Sequence, residues 1–437
     1  MEWKYKEDEI QMRWCLKKAV ILFLVVGCAV TLRLETPVSA ANKAIYATDV
    51  WTRQSLYAAP AKKPEVKWGL DFKDEVKQLV VDSKGVLYVI SHFSGPPLLT
   101  AVTPQGKVKW STKLEHINNI SDVYLYNDNS LVILGDDIPD EGRGPEDLGM
   151  MSISNYTLEG KRIWEKRYKN YITNHNVDVN KDGVIIFTAS HVENIHNNNS
   201  VSEGEDIKEE KRLLGVRIDG SEKFNSLLRT QINLTPYLIV STPIFAKDRI
   251  FLTVSALGDL KQGGTETAGE LIQYNQEGKK ISSTPYTGQN LQSPIYDNDQ
   301  IYVVGDDKLN IFDAQGKLKN TVKGALRSTN NLQGPSISKQ GDVLFGTNIY
   351  HAKSKKVTTF DNENLTTFTS EPIIDRNGNL IYLYKNSAQN VNCLVSMKLA
   401  TSKVNWKITI NHNLDNQWLI SKDGTIYVTG TKLMAIR

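Results

Sequence analysis

The chain has 437 residues, 40% hydrophobic and 23% charged, which suits a folded globular protein and excludes disorder over most of its length. A total of 52 Lys and Arg against 49 Asp and Glu leaves a net charge of +3, too small for bulk nucleic-acid affinity to be the main function. The three cysteines, Cys15, Cys28 and Cys393, are too few for a disulfide scaffold.

Residues 19–32, AVILFLVVGCAVTL, are the long apolar run of the chain. As a helix they would rise about 21 Å, short of the roughly 30 Å hydrocarbon core of a bilayer. Lys17 and Lys18 precede the run, and Val38-Ser39-Ala40 follows it with small residues at cleavage spacing. This is the layout of a secretory signal peptide over 1–40, with Ala41 as the first mature residue and either Met1 or Met12 as the start. Val25-Val26-Gly27-Cys28 also resembles a lipobox, which would make Cys28 a lipidated first residue; an uncleaved anchor is the third reading. All three place the rest of the chain outside the cytoplasmic membrane. Residues 41–64, with Pro60 and Pro64, read as a linker or lead-in.

From residue 65 the pattern changes to short β-branched and aromatic runs separated by turns rich in Gly, Asn, Asp and Lys. One segment recurs eight times: GVLYVIS at 85–91, SLVILGD at 130–136, GVIIFTA at 183–189, RIFLTVS at 249–255, QIYVVGD at 300–306, DVLFGTN at 342–348, NLIYLYK at 379–385 and TIYVTGT at 425–431. Pro243, Pro294, Pro335 and Pro372 open the strand before it, where no ladder N–H is needed. After it come a third strand, a turn such as QGK, and a fourth strand carrying Trp68, Trp110, Trp164 or Trp406, read as packing between blades. A four-strand unit at this period predicts an all-β propeller of eight blades, or seven if one degenerate unit is miscounted. EVKWGL at 65–70 matches a fourth strand while the last unit stops after three, so the N-terminal strand is expected to join the last blade and close the ring.

The segment LVSMKLATSKVNW at 394–406 resembles the repeat LYALDAxTGKxxW of the PQQ-like, or quinoprotein alcohol dehydrogenase-like, propeller superfamily, with Leu394, Thr401, Lys403 and Trp406 in place. The fourth strands near 224, 283, 320 and 360 lack the tryptophan, so the resemblance is to a degenerate member. The superfamily includes the propeller lipoprotein of the Bam outer-membrane assembly complex, similar in repeat type. It also includes quinone-dependent dehydrogenases, whose adjacent cysteine pair has no counterpart here, so the resemblance implies the fold and not that activity.

No nucleophile or P-loop motif is present. Asp178, Asn180 and Asp182 imitate the start of a calcium loop, but its twelfth position would be Ala189, and a β-turn with local hydrogen bonds is the competing account. No cofactor is otherwise implied.

The connections between second and third strands carry the functional clue. Three in a row are long: 136–149, about 190–212 and about 256–269, with net charges of −5, −3 and −1. Asp136, Asp137, Asp140, Glu141, Glu146, Asp147, Glu203, Glu205 and Asp206 are therefore candidates to meet a protein partner with a basic surface. The expectation is an exported, monomeric, non-catalytic scaffold, touching a membrane only through its anchor, with wall-glycan binding and an extracytoplasmic enzyme as alternatives. The Lys- and Asn-rich composition favours a Gram-positive source.

Overall fold

The computed structural model describes residue 55 and residues 57–437, apart from 93–94, 138–148, 175–176, 196–205, 233–236, 258–267, 289–292, 306, 325–334, 360–371, 387–388, 390, 411–413 and 431. Among the described residues the strands form eight antiparallel sheets and there is no helix. In chain order the blades span 76–113, 119–169, 171–232, 237–287, 295–323, 336–359 and 373–410. The eighth combines residues 414–436 with Val66–Leu70, which pairs antiparallel with Leu433–Ile436.

All eight recurring segments are second strands. Several are buried along their whole length, as in Leu87–Ser91 and Ile426–Gly430. Covering on both faces explains why they read as continuous apolar runs rather than alternating ones. The four prolines stand immediately before or at the break of first strands. Pro243 separates Tyr237–Val240 from Ile244–Ala246, both of which pair with the same second strand. The missing N–H interrupts the ladder there.

The apolar side chains segregate into eight clusters, and each is shared by two neighbouring blades. Blades 1 and 2, for example, share Ile90, Leu99, Val123 and Leu131. Blades 8 and 1 share Leu419, Tyr427, Leu79 and Val89, so the sequence of contacts runs fully around the ring. No single blade buries both its faces alone.

Two polar devices repeat between blades. In the first, a buried side chain of one first strand accepts from or donates to the backbone of the next blade. Gln78 donates to the Ser121 carbonyl (3.3 Å), Asp122 accepts from Val177 N–H (2.9 Å), and Asp178 accepts from Phe245 N–H (2.8 Å). In the second, the aromatic ring of one fourth strand lies on the third-to-fourth turn glycine of the following blade. A Cβ at Gly106 would sit 2.7 Å from the Trp68 ring, one at Gly160 2.7 Å from Trp110, and one at Gly220 2.9 Å from Trp164. These glycines have φ near +80°, so the turn needs glycine for its backbone as well as for the space. The Trp68 and Trp164 indoles then donate to the carbonyls of Pro104 and Ile218, both 2.8 Å away.

Blade 8 has no continuous third-to-fourth turn, because its third and fourth strands come from opposite ends of the ring sequence. Arg437 and Glu65 exchange two backbone hydrogen bonds (2.9 and 3.1 Å) where the turns of other blades begin, as at Thr103 and Lys107. The preceding residues fill the gap. Ser55 N–H donates to the Ile374 carbonyl, Arg376 N–H to Tyr57, Ala59 N–H to the Asp375 carboxylate, and the Trp406 indole to the Pro60 carbonyl (2.7 Å). Pro60 thus stands to Trp406 as Pro104 stands to Trp68. The part of the lead-in from Tyr57 onward is consequently a docked arm across blades 7 and 8.

Successive strands alternate in direction. First-to-second and third-to-fourth turns therefore leave on one face, called the turn face below. Second-to-third and blade-to-blade connections leave on the other, the connection face.

Candidate partner-binding sector

The three long connections of blades 2, 3 and 4 are consecutive around the ring and emerge on the connection face. The first lies between Ser130–Asp137 and Met150–Thr157, the third between Arg249–Leu257 and Ala268–Asn275. The second differs from expectation. Residues 190–195 and 206–212 are not loop but continue the strands Val184–Ile195 and Asp206–Arg217, leaving only 196–205 as the connection. The reason is cross-strand charge pairing. Glu193 lies directly opposite Lys208, and His191 opposite Glu210. Lys208 reaches Glu193 (3.2 Å) and Glu210 (2.8 Å), while Arg212 holds Glu210 at 2.7 Å. These cations hold the Glu210 carboxyl below the usual carboxylate range.

The described acids of this sector are thus already engaged. Lys211 and Glu209 form a buried pair at 2.6 Å, with Gln231 also donating to Glu209 and Ser190 accepting from Lys211. Removing either charge would leave the other buried without its partner. Arg229 meets Glu270 at 2.5 Å, and Asp137 lies 3.7 Å from Arg167.

Asp136 is buried rather than displayed. Its carboxylate accepts from Thr173 N–H (2.9 Å) and Thr173 Oγ1 (2.6 Å), joining blade 2 to blade 3. Burial raises its carboxyl above the ordinary Asp value of 3.8, and the Thr173 hydrogen bonds oppose that shift. A raised folded-state value means the acid form is favoured in the fold. The contribution to stability is full below the unfolded value and falls as pH rises through the folded one. Asp136→Asn keeps the acceptor for Thr173 N–H and removes the charge. Urea midpoints measured across the carboxylate range should show the variant gaining on the parent as pH rises; a variant that loses ground to the parent with rising pH would contradict the burial account.

Asp140, Glu141, Glu146, Asp147, Glu203 and Glu205 lie outside the described residues, and Asp206 is the first residue of the strand Asp206–Arg217. Cys28 also lies outside them.

At the calcium-like turn, Asn180 Oδ1 accepts from Asp182 N–H and Val184 N–H (3.0 and 2.8 Å), and Asp178 spends its carboxylate on Val179 and Phe245 N–H. The same turn geometry recurs at Asp82 and Asp375. These oxygens face the backbone instead of converging on an ion. Among the described residues no group of three or more His, Cys, Asp or Glu is placed to hold a metal, and no helix is long and apolar enough to cross a membrane. Cys393 is buried on the strand Val391–Lys398.

Fold and sector together define an eight-bladed β-propeller with four-stranded antiparallel blades and three neighbouring insertions on one face. No family model matches the chain, and no curated protein matches it. Among solved structures it is similar to the WD40 β-propeller domain of Doa1, at 10% identity and a TM-score of 0.42 over 86% of this chain and 97% of that one. It is equally similar to the WD40 domain of Neurospora crassa Pan2, at 8% identity and a TM-score of 0.42 over 87% of this chain and 97% of that one.

Proposed function

We propose that the chain is an exported, non-catalytic propeller that binds a protein partner through the insertions of blades 2, 3 and 4. The supporting observation is the separation of roles among the acids. The strand acids whose side chains are described are consumed by Thr173, Arg167, Lys208, Lys211, Arg212 and Arg229. The net negative charge left for a partner sits in 138–148 and 196–205, where Asp140, Glu141, Glu146, Asp147, Glu203 and Glu205 face one cation, Arg143. Such a cluster on a rigid frame steers a basic partner and weakens with salt. The finer assignment to the PQQ-like repeat class draws support from the ring-on-glycine contact, in which Trp68 lies on Gly106 and Trp110 on Gly160 of the following blade.

The test is a cross-linking pull-down with the full chain and a variant in which 138–148 and 196–205 are replaced by two-residue turns. Because the extended hairpin of blade 3 is retained, both should give the same circular dichroism. A partner captured by the parent and lost by the variant is the expected result. Equal capture by both would dismiss the acidic segments 138–148 and 196–205 as the docking site.

A further inference from the structure

On the turn face, Lys62 and Lys63 lie between two anchored points. Upstream, the Pro60 carbonyl accepts from the Trp406 indole (2.7 Å). Downstream, Pro64 is buried and Glu65 exchanges its two backbone hydrogen bonds with Arg437. Between these points Ala61, Lys62 and Lys63 are exposed. Among the described residues no backbone group of 61–64 is hydrogen-bonded.

A protease cleft takes its substrate as unpaired backbone, so a bond held in a ladder or a turn is cut only from an opened form. The other adjacent basic pairs among the described residues are held in that way. Lys166-Arg167 and Lys211-Arg212 are ladder-paired within strands. The carbonyls of Lys161 and Lys279 accept from Thr157 and Asn275 N–H (2.8 and 3.0 Å), and Arg162 and Lys280 lie on ladders. Lys355 N–H donates to the His351 carbonyl (2.8 Å), and Lys356 pairs with His351.

The position of the free pair also decides what a cut would do. Ring closure rests on Val66–Leu70 against Leu433–Ile436 and on Trp68 over Gly106, all downstream of Lys63. The arm upstream has its own bonds, from Ser55 to Ile374, Tyr57 to Arg376, Ala59 to Asp375 and Pro60 to Trp406. A break between Lys62 and Lys63 crosses neither set. It would convert a covalent connection into a docked peptide, which no longer has the high effective concentration that linkage confers.

We infer that the Lys62–Lys63 bond is a processing site, where a trypsin-like protease severs residues 1–62 from the closed ring. Lys62 supplies the cation that the carboxylate at the base of such a protease's specificity pocket selects. Water adds across the amide: its hydroxyl completes the Lys62 carboxyl and its remaining proton goes to the Lys63 amine. The next bond, Lys63–Pro64, has a proline on its leaving side, whose ring fixes the backbone and removes the N–H, so the cut falls after Lys62. The inference is independent of the partner sector and is tested without a partner.

The experiment has three readouts. Brief trypsin digestion of the full chain, with new termini counted by mass spectrometry, is compared with synthetic peptides spanning each lysine pair. Cutting after Lys62 should run within about tenfold of its free peptide, and cutting after Lys279 and Lys355 at least about a hundredfold slower than theirs. A variant with a site-specific protease sequence inserted between Ala61 and Lys62 lets this position alone be cut; the cut protein should keep the near-ultraviolet circular dichroism of the uncut one. The protein recovered from its host should include chains that begin at Lys63. A Lys62–Lys63 bond as protected as the two turn bonds, loss of the dichroism on cutting, or host protein that begins only upstream of Lys62 would each overturn the inference.

Discussion

Trp406→Ala should destabilise the ring by about 3–5 kcal/mol, the usual range for truncating a buried tryptophan. The side chain is 4% exposed in the cluster shared by blades 7 and 8, and its indole N–H is the bond that fixes the arm through Pro60. The comparison with Trp406→Phe separates the two contributions. Phenylalanine keeps most of the buried area but cannot donate, so it should cost about 1–2 kcal/mol, the value of one hydrogen bond plus a small volume change. Urea denaturation reads both. If the two variants lost the same stability, the ring would contribute nothing by packing and the whole effect would belong to the arm.

Gly160→Ala should cost about 2–5 kcal/mol, and Gly341→Ala about 1–2 kcal/mol, because only the first adds a collision to the backbone strain. Both residues have φ above +80°. At Gly160 the new methyl would lie 2.7 Å from Trp110, a ring held between two blades, whereas at Gly341 the nearest atom is the Ala352 Cβ at 3.6 Å. The double variant Gly160→Ala/Trp110→Ala should be less destabilised than the sum of its parts, since removing the ring removes the collision. Strict additivity in that cycle would mean the ring-on-glycine contact is not a coupling between blades.

Much of this architecture is legible in the sequence. The eight second strands are visible because burial on both faces makes them largely apolar runs, and QGKVKW shows both the turn glycine that receives the preceding blade's ring and the tryptophan that lies on the next blade's glycine. Phe224 escapes a search for tryptophan, yet it occupies the same place: a Cβ at Gly278 would meet its ring at 2.5 Å. In blade 4 the ring is gone and the hydroxyl bond remains: Thr284 donates to the Gly316 carbonyl (2.7 Å) as Ser226 donates to that of Gly278 (2.6 Å), a contact that leaves no pattern of hydrophobicity. The blade 3 hairpin was hidden by its charges. Glu193, Lys208 and Glu210 read as a solvated loop one by one, and only the mirror placement of opposite signs across 196–205 marks them as cross-strand neighbours. The burial of Asp136 was not legible, because Thr173 belongs to the next blade and nothing local announces the contact. The docking of the arm is the most remote of these relations: Ala59 and Asp375 are 316 residues apart.

The two-ended construction of blade 8 also dictates an order of events during biosynthesis. Leu433–Ile436 is made after every other strand of the ring, and Val66–Leu70 before them. Until those strands meet, Val76, Leu79, Leu87 and Val89 have no neighbour to cover them, so blade 1 waits with an uncovered apolar flank while the rest of the ring accumulates. Joining ends so distant costs closure entropy that grows only logarithmically with the intervening length, so the delay is set by synthesis rather than by the search. The nascent chain is therefore at its stickiest throughout elongation, and a holdase bound to the first hundred residues would be most useful for that whole interval.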